Sequence, residues 1–336
     1  MNQFFGFFAG LLCFALTKAE FNAPMISFDD GYAPLFGHSN IVRTHGGTGV
    51  RLVLDRFTGS GFISSKIYKY GFFSAQIKLP RNHTAGLCVA FYMSNGDVFE
   101  KNHDELDIEF LGHVEGKPWR FQTNIYGNGS THRGREERYT LWFDPSKEFH
   151  RYSILWTSKY IKFFVDDTPI REVVRTDEMG AEYPSKPMQL YTTIWDASSW
   201  ATAGGKYKMN YKYAPFVAEF KGLVLDACAV DLIQETEEGA HCTETDAWST
   251  YSTVSLRQKA AMRRFRQRYT YYSYCYDAVR YPVPPPECVV DPIEKQRFKE
   301  TGRLKFGGSH PSRRRRSRTR YAEPTQVEDD DDDKAS

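Results

Sequence analysis

The run Lys101-Asn102-His103-Asp104-Glu105-Leu106-Asp107-Ile108-Glu109-Phe110-Leu111-Gly112 constrains this chain more than any other stretch. Leu106, Ile108 and Phe110 fall on one side of a two-residue repeat, and His103, Glu105, Asp107 and Glu109 on the other. That alternation belongs to a strand with one face in a core and one face open. Alternate residues on a strand stand about 6.6 Å apart. Three carboxylates in such a row cannot all ionise freely, so their proton affinities are pushed apart. Sites that need an acid and a base near neutral pH are built this way. Retaining glycosidases use two carboxyl groups about 5–5.5 Å apart. Glu105 and Glu109 would stand roughly 13 Å apart at Cα on an ideal strand, so their side chains must lean together over Asp107. Two plainer readings compete with catalysis. One is a solvated strand face. The other is a metal site, although a line along one strand makes a coordination shell poorly.

The remaining sequence agrees with a molecule built from strands. Val50 to Asp55, Tyr70 to Leu79, Leu87 to Met93, Glu105 to Leu111 and Arg120 to Ile125 read as strands, as do Tyr152 to Thr157, Ile161 to Val165 and Met188 to Trp195. Turn residues such as Thr58-Gly59-Ser60-Gly61, Asn95-Gly96-Asp97 and Gly127-Asn128-Gly129 separate them. Many short strands at this spacing argue an all-β sandwich. The 336 residues suffice for one large β domain or two smaller ones. The 21 Tyr and 25 Phe suit strands, and also flat surfaces for sugar rings. After Leu225 the texture changes. Trp248 to Arg268, rich in Lys, Arg, Gln, Leu and Ala, suggests a helix that ends before the aromatic run Tyr269 to Tyr276. The net charge of +2 demands no polyanionic partner such as nucleic acid.

Both ends are distinctive. Phe4 to Leu16 is apolar but too short to span a bilayer, and Thr17-Lys18-Ala19 follows it as a cleavage site, so residues 1–19 read as a signal peptide despite lacking a basic start. No later apolar run is long enough to span a membrane. In an oxidising compartment Cys228, Cys242, Cys275 and Cys288 suggest two disulfides, with three pairings open. Cys88, in an apolar run, reads as a buried free thiol with no charged neighbour to activate it. Asn82-His83-Thr84 and Asn128-Gly129-Ser130 are N-glycosylation sequons. Arg313 to Arg316, Arg318 and Arg320 form a basic run and Asp329 to Asp333 an acidic one, so residues 301–336 read as a disordered charged tail.

The decamer His103 to Gly112 resembles the active-site strand of the plant xyloglucan endotransglucosylase/hydrolases of glycoside hydrolase family 16. So do Gln122-Thr123-Asn124, Gly134-Arg135-Glu136, Tyr139 to Pro145, Trp195 to Gly205 and the C-terminal cysteine segment, in order, from about Phe28 to Asp291. The resemblance implies a jelly roll with a concave cleft over residues 20–225 and a disulfide-stapled extension containing a helix over residues 226–300. It implies Glu105 as nucleophile, Glu109 as acid/base and Asp107 as helper. It assigns Gln122, Thr123, Asn124, Gly134, Arg135, Glu136, Ser199, Trp200 and Gly204 to glucan binding, and Arg280 to the acceptor side. Trp195, in the same loop beside glycines, is a further sugar-stacking candidate. The resemblance favours the pairs Cys228–Cys242 and Cys275–Cys288. It implies no cofactor, with any calcium structural, and xyloglucan chains as donor and acceptor in the plant cell wall and apoplast. A xyloglucan hydrolase, a β-1,3/1,4-glucanase and a wall-binding lectin are the alternatives. Relatives often carry a sequon directly after the active-site strand; here His113-Val114-Glu115 follows, and a glycan at Asn128 is expected in its place. The arginine run is expected to hold the enzyme to anionic pectin.

Overall fold

The computed structural model describes residues 23–231 and 254–298. Two antiparallel sheets pack face to face. The first runs, in spatial order, β1 (Tyr32–Phe36), β4 (Ser60–Ser64), β13 (Gln189–Asp196), β6 (Leu87–Ser94), β7 (Glu105–Leu111), β8 (Arg120–Tyr126), β9 (Glu137–Tyr139) and β15 (Thr270–Ser273). The second runs β12 (Thr168–Val174), β11 (Tyr160–Val165), β10 (His150–Trp156), β5 (Ile67–Lys78), β14 (Phe216–Val230), β3 (Gly49–Leu54) and β2 (Ile41–Thr44). The α-helices among the described residues are α1 (Phe28–Gly31), α2 (Leu256–Tyr269) and α3 (Pro292–Phe298). This is the expected jelly-roll sandwich, and the strands read from the sequence are present with ends moved by a few residues.

The core lies between the sheets. Leu106, Ile108 and Phe110 of β7 are fully buried in it. Phe110 meets Tyr152 of β10 edge-on at 4.7 Å, and Phe62 of β4 meets Phe220 of β14 edge-on at 5.8 Å. Each such side chain contributes about 1.5–3 kcal/mol on burial, so the apolar half of the alternation pins the register and forces the carboxylates outward. Gly112 ends β7 because the backbone closes in: a Cβ there would lie 1.8 Å from the Thr84 carbonyl oxygen.

The segment beyond residue 225 is not a separate layer. β14 continues to Val230, so a boundary at 225 would cut a strand. β15 pairs with β9 and becomes an edge strand of the first sheet. Helix α2 starts at a reciprocal cap between Ser255 and Gln258 and buries Phe265 against Tyr139 at 5.4 Å. Beneath β9, the buried Glu137 accepts two hydrogen bonds from Arg266 of α2 at 2.7 and 2.9 Å and one from Ser273 at 2.7 Å. Burial would raise this carboxyl, but Arg266 and Arg171 outweigh it and hold it at about 2. Cys275 and Cys288 form a disulfide. Cys228 is disulfide-bonded too; its expected partner Cys242 lies outside the described residues, as do the leader and the charged tail.

Candidate active site

Strand β7 lies inside the first sheet, so its open face is flanked on both sides. Antiparallel register sets Glu105 between Ser94 and Tyr126, Asp107 between Tyr92 and Asn124, and Glu109 between Ala90 and Gln122. An open cleft of about 500 Å³ crosses this face, lined by all three carboxylates with Tyr92, Asn124, Tyr126 and Trp195. The start of β7 is anchored by the buried Asp104, whose carboxylate accepts from the backbone N–H groups of Asn128, Ser185 and Lys186 at 2.8–2.9 Å.

The three carboxyls are unlike one another. Burial raises Glu105, while Ser94 and His103 pull it back; the His103 ring lies 4.0 Å away. Burial and the flanking charges of Glu105 and Glu109 push Asp107 well above the carboxylate range. Burial lifts Glu109 to about 7, against a hydrogen bond from Gln122 Nε2 to its Oε2 at 2.7 Å and with help from the charge of Glu136. Near neutral pH Glu109 can therefore hold a proton and release it, Asp107 binds its proton more tightly than an ordinary aspartate, and the bond it shares with Glu105 favours the charged form of Glu105. Cys88 is buried beside Glu109 and free as expected, but it does have charged neighbours. Its Sγ is 3.9 Å from Glu109 Oε1, and burial together with Glu109 and Asp107 drives its pKa upward, which suppresses the thiolate.

The expected sugar-binding residues divide. Gln122 and Asn124 share the face of the carboxylates. Thr123, one residue out of phase, faces the core, where it bonds with the Tyr139 hydroxyl and Arg171. Gly134 belongs to the cleft wall, against Asn124 and Tyr126. Arg135 does not: it is buried and donates to Glu182 and to Glu287 of the extension at 2.6 Å each. Glu136 lies between Arg138, to which it is paired, and Arg280 at 3.7 Å. Arg280 is half exposed, 3.4 Å from the Tyr272 hydroxyl. Trp195 and Trp200 stand 6.1 Å apart with tilted rings, Trp200 more than one-third exposed. Ser199 and Gly204 are exposed in the same loop, which closes at Gly205, where a Cβ would lie 2.2 Å from the Ser199 carbonyl oxygen.

Several cleft residues escaped the sequence reading. Tyr126 extends the phase of Gln122 and Asn124, and Arg138 that of Glu136, so period two could have found both. Tyr92 and Tyr272 could not be found that way, since their places depend on cross-strand register: Tyr92 opposite Asp107, Tyr272 opposite Arg138. The sequon nearest the end of β7 is also not the expected one. Thr84 exchanges hydrogen bonds with His113, whereas Asn128 is bonded to Asp104 at the start of the strand.

Comparison with known proteins bears on the family of the whole chain. Residues 28–213 match the model of the glycosyl hydrolases family 16, and residues 242–288 that of the xyloglucan endo-transglycosylase (XET) C-terminus. The chain is 63% identical over 327 residues to "Probable xyloglucan endotransglucosylase/hydrolase protein 30" of Arabidopsis thaliana, covering 96% of this chain and 95% of that protein. It is 43% identical over 267 residues to xyloglucan endotransglucosylase/hydrolase protein 2 of the same plant, covering 78% and 89%. Among solved structures, a Bacillus licheniformis β-glucanase aligns with a TM-score of 0.47 at 23% identity, over 60% of this chain and 92% of that one.

Proposed function

This chain belongs to the xyloglucan endotransglucosylase/hydrolases of glycosyl hydrolase family 16, and we propose that it cuts the β-1,4-glucan backbone of xyloglucan and rejoins the cut end to another xyloglucan chain. The observation that carries the mechanism is the row of Glu105, Asp107 and Glu109 on the open face of β7, all three lining one cleft, with Gln122 bonded to Glu109 at 2.7 Å.

In the first step a Glu105 carboxylate oxygen attacks the anomeric carbon. The bond to the glycosidic oxygen breaks, and Glu109 gives that oxygen its proton. In the second step an acceptor hydroxyl gives its proton to the Glu109 carboxylate, its oxygen attacks the same carbon, and the ester to Glu105 breaks. Asp107 donates to Glu105 and shifts as charge moves to the sugar. Gln122 orients Glu109. Asn124, Gly134, Trp195 and Trp200 supply the cleft surface, and Glu136, Arg138, Tyr272 and Arg280 form a polar rim on the acceptor side. Thr123 and Arg135 hold that wall from behind. Transfer outruns hydrolysis when the acceptor is held in place, since effective molarities reach about 10⁵ M or more.

The surroundings of the reaction follow from the same reading: a chain with residues 1–19 as signal peptide, secreted to the apoplast, glycosylated at Asn82 and Asn128, and held near anionic pectin by Arg313 to Arg320. The test incubates the enzyme with xyloglucan, with and without labelled xyloglucan oligosaccharides, and follows label in polymer and new reducing ends. Transfer moves label into polymer with few new ends. A steady rise in reducing ends that ignores the acceptor makes the enzyme a hydrolase, and no cleavage at all makes it a lectin.

A further inference from the structure

At the end of the sandwich where β7 runs out, a second open groove of about 610 Å³ lies outside the cleft. Its volume is in the range of ligand sites, ~300–1,000 Å³. Trp142 gives it an aromatic wall. Phe143, Phe265 and Tyr269 pack around that ring at 5.0, 5.6 and 5.9 Å, yet Trp142 remains 40% exposed. The indole is thus fixed from behind and open in front, so it presents a rigid aromatic face to whatever enters the groove. Glu115, Lys117 and Asp144 make a polar rim, and the buried Trp119 lies beneath.

The groove is also lined by Asn82, the acceptor position of a sequon. Asn82 is exposed in a left-handed turn with φ 69°. That turn is tied to the loop carrying Trp142: Leu79 N–H donates to the Pro145 carbonyl at 2.9 Å, and Arg81 Nε to the Ser146 carbonyl at 3.0 Å. Thr84, which completes the sequon, is turned inward onto His113, leaving Asn82 facing out.

We propose that Asn82 is N-glycosylated and that this groove seats the glycan, its first pyranose rings laid against the open face of Trp142. A sugar ring offers a face of C–H groups to an indole and hydroxyls to the rim. The covalent tether supplies a high effective concentration, so a weak stacking contact is enough to hold the sugars down. The glycan then links the β5–β6 turn to helix α2 through Trp142, Phe265 and Tyr269.

This inference rests on entry into the secretory route, proposed above, and Asn128 separates the two. The full chain is secreted from yeast, and glycan release by endoglycosidase H is followed at both sites by peptide mass under native conditions. The expected result is an Asn82 glycan released about threefold to tenfold more slowly than the Asn128 glycan, the range a ring-stacking contact provides. Trp142→Ala, or Trp142→Leu, which keeps an apolar contact with Phe265, should abolish the difference, as should denaturation before digestion. An unmodified Asn82 beside a glycosylated Asn128 overturns the seat. Equal native release at both sites, or protection that survives both Trp142 variants, overturns it as well. Absence of sugar at both sites, with the chain retained inside the cell, overturns the secretory reading instead.

Discussion

Replacing Glu109 by glutamine should abolish turnover and stabilise the protein, and the gain should depend on pH in a defined direction. The folded protein holds the Glu109 carboxyl at about 7, against an ordinary value of 4.5. A folded value above the unfolded one means that the fold favours the protonated form. Below pH 4.5 the group is neutral in both states and costs nothing. As pH rises from 4.5 to 7 the unfolded chain ionises while the folded chain does not, and stability is lost at about 1.4 kcal/mol per pH unit. Above pH 7 the accumulated loss is about 3 kcal/mol. Glutamine keeps an acceptor for the Gln122 amide and does not titrate. The variant should therefore match the parent at pH 4 and exceed it by about 3 kcal/mol at pH 8, or roughly 6–12 °C in melting temperature for a domain of this size. The assay is thermal unfolding of both proteins in matched buffers from pH 4 to pH 8. Parallel curves, or a gap that narrows as pH rises, would show that burial does not strain this carboxyl. A catalytic group gaining stability when removed is the expected trade between activity and stability.

Three further outcomes test the site and its frame. Gln122→Leu removes the hydrogen bond that lowers Glu109, so the alkaline limb of kcat/KM against pH should move upward by about one unit; an unmoved limb would mean that Gln122 serves only the sugar. Glu105→Ala should cut transfer and hydrolysis by several orders of magnitude while the melting temperature does not fall, and normal turnover would remove Glu105 as the nucleophile. In the native protein Cys275 and Cys288 should resist alkylation and Cys88 should react only after unfolding, as read by peptide mass; early labelling of Cys88 would place its sulfur in solvent.

The row of carboxylates was legible because one strand carries both halves of its own evidence: Leu106, Ile108 and Phe110 report the core, and the residues between them report the opening. The same repeat could have corrected Thr123, since it is out of phase with Gln122 and Asn124. Arg135 was harder. Nothing local to Gly134-Arg135-Glu136 says that its guanidinium is claimed by Glu287, 152 residues later. Tyr92 and Tyr272 were invisible for a related reason, because cross-strand register is fixed by packing and turns across the sheet. Strands β1, β2, β4, β9, β12, β14 and β15 went unread where short length or mixed polarity blurs the alternation. The pKa order along β7 could be expected to exist from crowding alone, but its sense depends on burial and on Gln122 and His103, which only the folded sheet brings into place.

The pairing of β9 with β15 decides when this protein is finished. Residues 137–139 leave the ribosome about 130 positions before their partner at 270–273, and until that partner arrives β9 presents a raw edge of unpaired N–H and C=O groups, with Glu137 lacking Arg266 and Ser273. A nascent chain holding every catalytic carboxylate is thus still incomplete and prone to pair with its neighbours. For anyone recombining such enzymes, the catalytic sandwich and its C-terminal segment are a single heritable part: a graft that exchanges the first without the second transplants the chemistry and leaves its last seam unsewn.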